Sequence, residues 1–156
     1  MQLMLIRCAG LAACIVLAGA SSGLSAADDR LVDAIRKNDR AAVAALIGAG
    51  ADVNTADASG VTPLMYAGLL ADTDVVGELL KGGAAVNPRG ASGATALLWG
   101  DRRTATVQLL LARGAAVDAA AANGWTALSV AVRLGNVEAM RLLIAAGADT
   151  SSPASR

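Results

Sequence analysis

Two carboxylates, Asp72 and Asp74, are spaced closely enough to suggest catalysis or ion binding. Paired carboxylates act as general acid and base in many enzymes, and they also bind hard cations such as Ca²⁺ or Mg²⁺. This pair, however, falls at a turn between two predicted helices, where acidic side chains favour the N-terminus of the helix that follows. We therefore expect Asp72 and Asp74 to have a structural role.

The composition excludes most other catalytic sites. The 156 residues include no histidine, so the chain cannot contain a Ser-His-Asp triad or a histidine-ligated metal site. Both cysteines, Cys8 and Cys14, lie near the N-terminus, and the rest of the chain has no thiol nucleophile. There is also no Gly-rich phosphate-binding loop ending in Lys-Ser or Lys-Thr. We expect a protein that is not an enzyme and that has no cofactor and no metal site.

Residues 1–27 have the layout of a secretory signal peptide. Arg7 precedes an uncharged, mostly apolar run from Cys8 to Ala18, and the small residues Ser25-Ala26-Ala27 stand ahead of Asp28. The apolar run is shorter than the roughly 20 residues that span a bilayer. We expect cleavage near Ala27 and a periplasmic or secreted location, and the compact leader with the alanine-rich composition favours a bacterial source.

Two alternatives remain open for this segment. Leu11-Ala12-Ala13-Cys14 has the look of a bacterial lipobox, in which Cys14 would be lipidated and would become the first residue. The protein would then be a lipid-anchored structural or accessory protein of the envelope. Alternatively, the leader stays uncleaved and serves as an anchor. We expect a membrane partner only in these two cases.

The charge balance argues against nucleic acid as a partner. Of 13 basic and 13 acidic residues, only Arg7 lies within residues 1–27, so the remaining chain has a net charge of −1. A protein without an excess of positive charge has no basic field to attract a phosphate backbone. We therefore expect no nucleic-acid binding.

The chain after residue 27 is organised by a repeat of about 33 residues. The phrase G-x-T-x-L begins at Gly60, Gly93 and Gly124, at intervals of 33 and 31 residues. A second phrase, Gly-Ala followed by Asp or Ala, begins at Gly50, Gly83, Gly114 and Gly147, at intervals of 33, 31 and 33. A fixed period of this length predicts stacked supersecondary units. Such stacks present an extended surface and seldom carry chemistry.

Local signals predict two helices in each unit. Thr62, Thr95 and Thr126 have hydroxyls that can cap a first helix, and Asp29 stands at the same place in a degenerate first unit. The second helices have apolar residues at i, i+3 and i+4, as in Val76-Leu79-Leu80. The glycines of the second phrase follow these apolar residues, so we expect them to end the helices in a left-handed conformation.

These units resemble the ankyrin repeat, whose pattern is G-x-T-P-L-H-x-A-A, then V-x-x-L-L, then G-A-D-x-N. Residues 57–88 fit best, through Thr62-Pro63-Leu64, Leu79-Leu80 and Gly83-Ala84. The resemblance covers essentially all of the chain after residue 27. It implies an all-α ankyrin-repeat solenoid with hairpin loops over residues 28–150. The expected units are residues 28–56, 57–88, 89–120 and 121–150, followed by a disordered tail at residues 151–156.

Two departures from the family's pattern affect the expected structure. Residues 90–119 are two residues shorter than the best unit, and the deletion falls between Gly100 and Thr104, where the first helix turns into the second. Met65, Leu98 and Ser129 stand at the family's histidine position. The substitutions imply the loss of a hydrogen bond near the start of the first helix, and therefore softer repeats.

The resemblance also implies a partner-binding surface on the concave face, formed by the hairpin tips and the inner side of the first helices. Transferring the family's variable positions to this chain gives the candidate residues Ser59, Val61, Leu69, Leu70, Asp101, Arg102, Asn123, Trp125, Arg133 and Leu134. Apolar residues bordered by arginine are typical of protein-binding surfaces. We expect an interaction module, exported to the periplasm, that binds another protein.

The two tryptophans differ in their expected roles. Trp125 follows Gly124 in a hairpin, and its large ring suits both packing and partner contact, so both roles remain open. Trp99 lies within a first helix beside the small Gly100, which favours packing between repeats.

Overall fold

Helix pairs follow one another along residues 26–151, the part of the chain that the computed structural model describes. The pairs are α1 (Ala26–Arg36) with α2 (Arg40–Gly48), α3 (Pro63–Leu70) with α4 (Thr73–Lys81), α5 (Ala96–Trp99) with α6 (Thr104–Ala112), and α7 (Ala127–Leu134) with α8 (Val137–Ala145). A 3₁₀ turn, Gly100–Arg102, follows α5. No strand occurs within residues 26–151, and the predicted all-α solenoid of four units is confirmed.

The described residues begin within the predicted signal peptide and end within the predicted tail. Residues 1–25, with most of the predicted signal peptide and its Cys8 and Cys14, lie outside the described residues, as do residues 152–156 of the predicted tail. Helix α1 begins at Ala26, before the predicted unit boundary at Asp28. Asp29 is therefore in the first turn of α1, and the prediction that it caps the helix is wrong.

The helices form two layers, because each helix contacts its equivalent in the next unit. Contacts run from α1 to α3 to α5 to α7 in the layer of first helices, and from α2 to α4 to α6 to α8 in the layer of second helices. Leu79, Leu110 and Leu143 lie at equivalent positions of the second helices and are completely buried. Each such leucine is worth about 1.5–3 kcal/mol of transfer free energy, so the core depends on neighbouring units being in place.

The predicted helix starts are confirmed for three units. Thr62, Thr95 and Thr126 each accept a hydrogen bond from the backbone N–H three residues later, at 3.4, 3.4 and 3.3 Å. Ser129 also accepts from the Thr126 N–H at 2.9 Å, which closes a capping box. The expected loss of a hydrogen bond at the histidine position is therefore wrong for the fourth unit, because the Ser129 hydroxyl supplies one there.

The predicted left-handed helix stops are also confirmed. The residues concerned are Gly50, Gly83, Gly114 and Gly147, with φ of 89°, 88°, 80° and 92°. After the stops at Gly50, Gly83 and Gly114, a polar side chain connects two units. The Asn54 carboxamide accepts from Ala85 N–H at 2.7 Å and donates to the Gly83 carbonyl at 3.2 Å. Asn87 makes the same two bonds to Ala116 and Gly114, at 2.8 and 3.0 Å.

The last of these connections is weaker. Asp118 stands where the earlier units have asparagine, and it accepts from Asp149 N–H at 2.8 Å. A carboxylate has no N–H to donate to the Gly147 carbonyl. The joint between the third and fourth units therefore has one such hydrogen bond where the other two joints have two.

Neighbouring hairpin tips touch through their backbones. Ala91 N–H donates to the Ser59 carbonyl at 2.8 Å, and Ala122 N–H donates to the Ser92 carbonyl at 2.7 Å. Gly93 stands beside the second contact with φ of 73°, and a Cβ added to it would lie 3.1 Å from the Ala122 nitrogen. A Cβ added to Gly124, with φ of 80°, would have no such neighbour within 4 Å among residues 26–151.

This difference makes Gly124 a matched control for Gly93. Both Gly93→Ala and Gly124→Ala force a side chain into the left-handed region, which costs on the order of 1 kcal/mol. Gly93→Ala additionally crowds the hydrogen bond between Ala122 and Ser92, so we expect it to lower the free energy of unfolding by about 1 kcal/mol more. Urea unfolding followed by circular dichroism measures both values. Equal losses would show that the hairpin contact contributes nothing to stability.

Candidate protein-binding groove

A groove of about 480 Å³ opens on the side of the molecule formed by the first helices and the hairpin loops. We call this region the groove. It is lined by Leu69, Ser92, Ala94, Leu98, Trp99, Asp101, Arg102, Ala121, Ala122, Asn123, Trp125, Val130, Arg133 and Leu134. The lining comes from the second, third and fourth units, so stacking of the units builds the groove.

The repeat explains why certain side chains share this surface. Leu69, Arg102 and Arg133 each stand seven residues after the capping threonine of their unit, and all three are exposed. Equivalent positions on parallel units project from the same side of the stack. Leu69 and Leu134 are 39% and 45% exposed, so the groove has apolar side chains open to a partner.

Trp125 and Arg133 form the most specific contact in the groove. The guanidinium carbon of Arg133 lies over the Trp125 ring, 4.9 Å from its centre, which is a cation–π distance. Trp125 is half-buried and lines the groove, where its ring contacts Arg133. Trp99 packs against the core, in line with its expected role, and it also lines the groove.

Seven of the ten predicted site residues line the groove, and three do not. Ser59 and Leu70 are exposed but lie outside its lining. Val61 is part of the core, so its prediction as a surface residue is wrong. It stands directly before Thr62, at the position that Ala94 occupies in the next unit, and Ala94 is buried too. The chain enters the first helix at this position with the side chain directed inward.

The prediction of Asp101 as a surface residue is also wrong, because its side chain is buried. It is 1% exposed, and neither carboxylate oxygen has a hydrogen-bond partner among the described residues. Asp101 stands six residues after Thr95, as Gly68 stands six residues after Thr62. An added Cβ at Gly68 would come within 3.0 Å of the Ala96 carbonyl in the next unit. This position therefore faces the following repeat rather than solvent.

Burial without a partner changes the acidity of Asp101. Desolvation disfavours the charged form and raises the pKa of this carboxyl from 3.8 to about 7. A buried aspartate with no partner destabilises the folded state once it is ionised. This destabilisation is located in the third unit, where the shortened helix α5 ends in a 3₁₀ turn.

Several residues of the groove, notably Leu98 and Val130, are not among the predicted site residues. Trp99 and Val130 both stand four residues after the capping threonine of their units, as Tyr66 does in the second unit. Counting from that threonine in every unit would have grouped Trp99 with Val130. Leu98 stands at the family's histidine position, which does not by itself indicate a groove residue.

Asp72 and Asp74 have the structural role that their position in a turn suggests. The Asp72 carboxylate accepts from the Asn38 side chain at 2.6 Å, and the Asp72 N–H donates to the Asn38 carboxamide oxygen at 2.8 Å. Asp74 lies 3.7 Å from Arg40. Over residues 26–151, no three metal-ligating side chains cluster. None of the helices in that range is long and apolar enough to cross a membrane.

A family comparison agrees with this architecture. Residues 31–120 and 100–154 match a family model described as ankyrin repeats, three copies. The chain belongs to the ankyrin-repeat family. A comparison with curated proteins finds no match. Ankyrin repeats are generally protein–protein interaction modules, and the groove lies on the side of this ankyrin stack that carries its first helices and hairpin tips.

We expect Asp101 to make the stability of the ankyrin stack depend on pH. Between about pH 4 and pH 7 the folded protein holds a proton that the unfolded chain has released, so the free energy of unfolding falls as pH rises and stays at its lower value above pH 7. The slope is at most about 1.4 kcal/mol per pH unit. Asp101→Asn removes the titration and should flatten this part of the profile.

Urea unfolding of the wild type and Asp101→Asn at pH 5 and pH 8 tests this expectation. Other carboxylates contribute equally in both proteins. The relevant quantity is therefore the difference in free energy of unfolding between the two proteins at each pH. If the two proteins differ in free energy of unfolding by the same amount at pH 5 and pH 8, the pKa of Asp101 is not raised in the folded protein.

Proposed function

We propose that this ankyrin-repeat protein binds another protein through the groove and the adjacent hairpin tips. The observation that carries the proposal is that apolar, aromatic and arginine side chains meet in one preformed groove. They are the exposed Leu69 and Leu134, the half-buried Trp125, and Arg102 and Arg133. Protein interfaces concentrate their binding energy in buried aromatic, arginine and apolar anchors of this kind. A preformed groove also loses little conformational entropy on binding.

The shape of the groove suits an extended segment or a loop of the partner. Its lining spans three units, and backbone hydrogen bonds between the tips hold the hairpins together. Ankyrin-repeat proteins are typically non-enzymatic interaction modules. The groove fits that role, because its exposed side chains offer contact area and charge.

We also propose that the protein is exported with removal of residues 1–27. The support is the order of the charged, apolar and small-residue regions in the sequence. The expected cleavage point after Ala27 lies in the first turn of α1. Because the ends of helices fray easily, losing two residues there leaves the rest of α1 in place. A lipid-anchored envelope protein that begins at Cys14 is the alternative.

Two paired variants test the groove as the binding surface. The groove variant combines Arg133→Asp with Leu134→Asp. The α8 variant makes matching changes, Arg141→Asp and Ile144→Asp, at exposed positions of α8. Both variants should keep the helical circular-dichroism signal. We expect partner capture from extract of the source cell to fall about tenfold or more in the groove variant, because a few anchors dominate an interface, and to persist in the α8 variant.

Site-specific crosslinking identifies the contact surface directly. A photo-crosslinking residue at Leu134 should give an adduct with the captured partner, and the same residue at Ile144 should give none. Adducts from Ile144 alone would place the interface on the second-helix side and contradict the proposed function.

The N-terminus of the protein purified from its source tests export. We expect N-terminal sequencing and intact-mass measurement to show a chain that begins near Asp28 with a free amine. Recovery of Met1 would show that the leader is retained, and a diacylated Cys14 would establish the lipid-anchored alternative.

A further inference from the structure

The groove presents two arginines that the described chain leaves without acidic partners. Arg102 and Arg133 are exposed, and within residues 26–151 neither forms an ion pair or a side-chain hydrogen bond. Elsewhere in the same range, Arg40 pairs with Glu78 at 2.7 Å and Arg103 lies 3.8 Å from Asp72. Arg40 and Arg103 thus connect neighbouring units, whereas Arg102 and Arg133 are available in the groove.

The contact with Trp125 holds the Arg133 side chain in place. A guanidinium that lies over an aromatic ring keeps its N–H donors, which lie in its own plane, available at its edge. A carboxylate can accept two of these donors at once. Because Arg133 is already positioned over Trp125, such a bond would cost less side-chain entropy than a bond to a freely moving arginine.

The part of the chain that the structure describes places no accessible acidic group in the groove to oppose this charge. Among the described residues that line the groove, Asp101 is the only acidic one, and both of its carboxylate oxygens are buried. The accessible surface of the groove therefore combines positive charge with the apolar side chains of Leu69, Trp99 and Leu134. Since the whole chain has 13 basic and 13 acidic residues, this positive charge is a local property of the groove.

We propose that the groove recognises an acidic segment of a protein partner, in which an Asp or Glu side chain binds Arg102 or Arg133 and an adjacent aliphatic or aromatic side chain fills the apolar part. The inference rests on the proposed function, because it assigns a chemistry to the same surface. The charge-assisted bonds would supply specificity, and the apolar contact would supply most of the buried area. A basic segment would bring its charge against the two arginines.

The test is selection of random peptides displayed on phage by the purified chain. The groove variant Arg102→Gln with Arg133→Gln keeps the size of both side chains but removes their charge. The control variant Arg113→Gln with Arg141→Gln makes the same change at two exposed arginines outside the groove lining. We expect wild type and control to enrich Asp or Glu next to an apolar residue, and we expect the groove variant to lose the acidic preference.

A synthetic copy of the most enriched peptide gives the magnitude. Replacing its acidic residue with Gln or Asn should raise the dissociation constant for wild type about tenfold or more, since a bond between charged groups is stronger than a neutral one. The same replacement should have little effect on binding to the groove variant. Affinity for the acidic peptide should also fall as salt is raised, because the arginines are solvent-exposed.

The alternative outcomes separate this inference from the proposed function. Enriched peptides that need Leu134 but contain no acidic residue, or that contain Lys or Arg instead, overturn the inference and leave the groove as a binding surface. An acidic preference that survives in the groove variant also overturns it. If no enriched peptide depends on Leu134, Arg102 or Arg133, both the inference and the proposed function are wrong.

Discussion

Contact between neighbouring units is the constraint on which the whole structure depends. A single helix pair has too few large side chains for a core of its own, so leucines such as Leu79, Leu110 and Leu143 are buried only because a neighbouring pair covers them. The same stacking aligns the hairpin tips and brings side chains from three units into one groove. Fold and binding surface therefore have the same origin, and a change that loosens one joint affects both.

Much of the fold was predictable because its determinants are local. Thr62 caps the first helix of its unit, and Gly83 ends the second with positive φ; both signals can be read from a few adjacent residues. The groove was partly predictable for the same reason, since Arg102 and Arg133 occupy one repeat position. Asp101 was not, because the deletion after Gly100 left the register of the following residues open. Only the packed structure shows that its position faces the next unit.

The third unit is where the sequence departs most from the repeat, and it also lies at the centre of the groove. Helix α5 has four residues where α3 and α7 have eight, and the 3₁₀ turn that follows contains both the buried Asp101 and the exposed Arg102. The deletion thus removes regular helix from the middle of the stack. The same turn holds one of the groove's two arginines at the surface. Local irregularity and a candidate functional residue thus occur together, as is expected where a functional site departs from the local pattern.

The fourth unit lies at the end of the described stack, where Asp118 accepts a single hydrogen bond, and this position has a consequence for motion. Across its joint with the third unit, Asn136 bonds to Thr104 and to the Asp101 carbonyl, and Asp118 makes one bond where Asn54 and Asn87 each make two. Because the fourth unit has a neighbouring unit on one side only among the described residues, it should unfold locally at a lower free energy than the central units. That unit carries Trp125, Arg133 and Leu134, so each such opening dismantles the groove. A protein that occupies the groove must then stabilise the fourth unit by mass action. Binding and the folding of the fourth unit are therefore thermodynamically linked. Protection of α8 against hydrogen exchange should then increase when the groove is occupied, although α8 belongs to the layer of second helices and the groove lies on the layer of first helices.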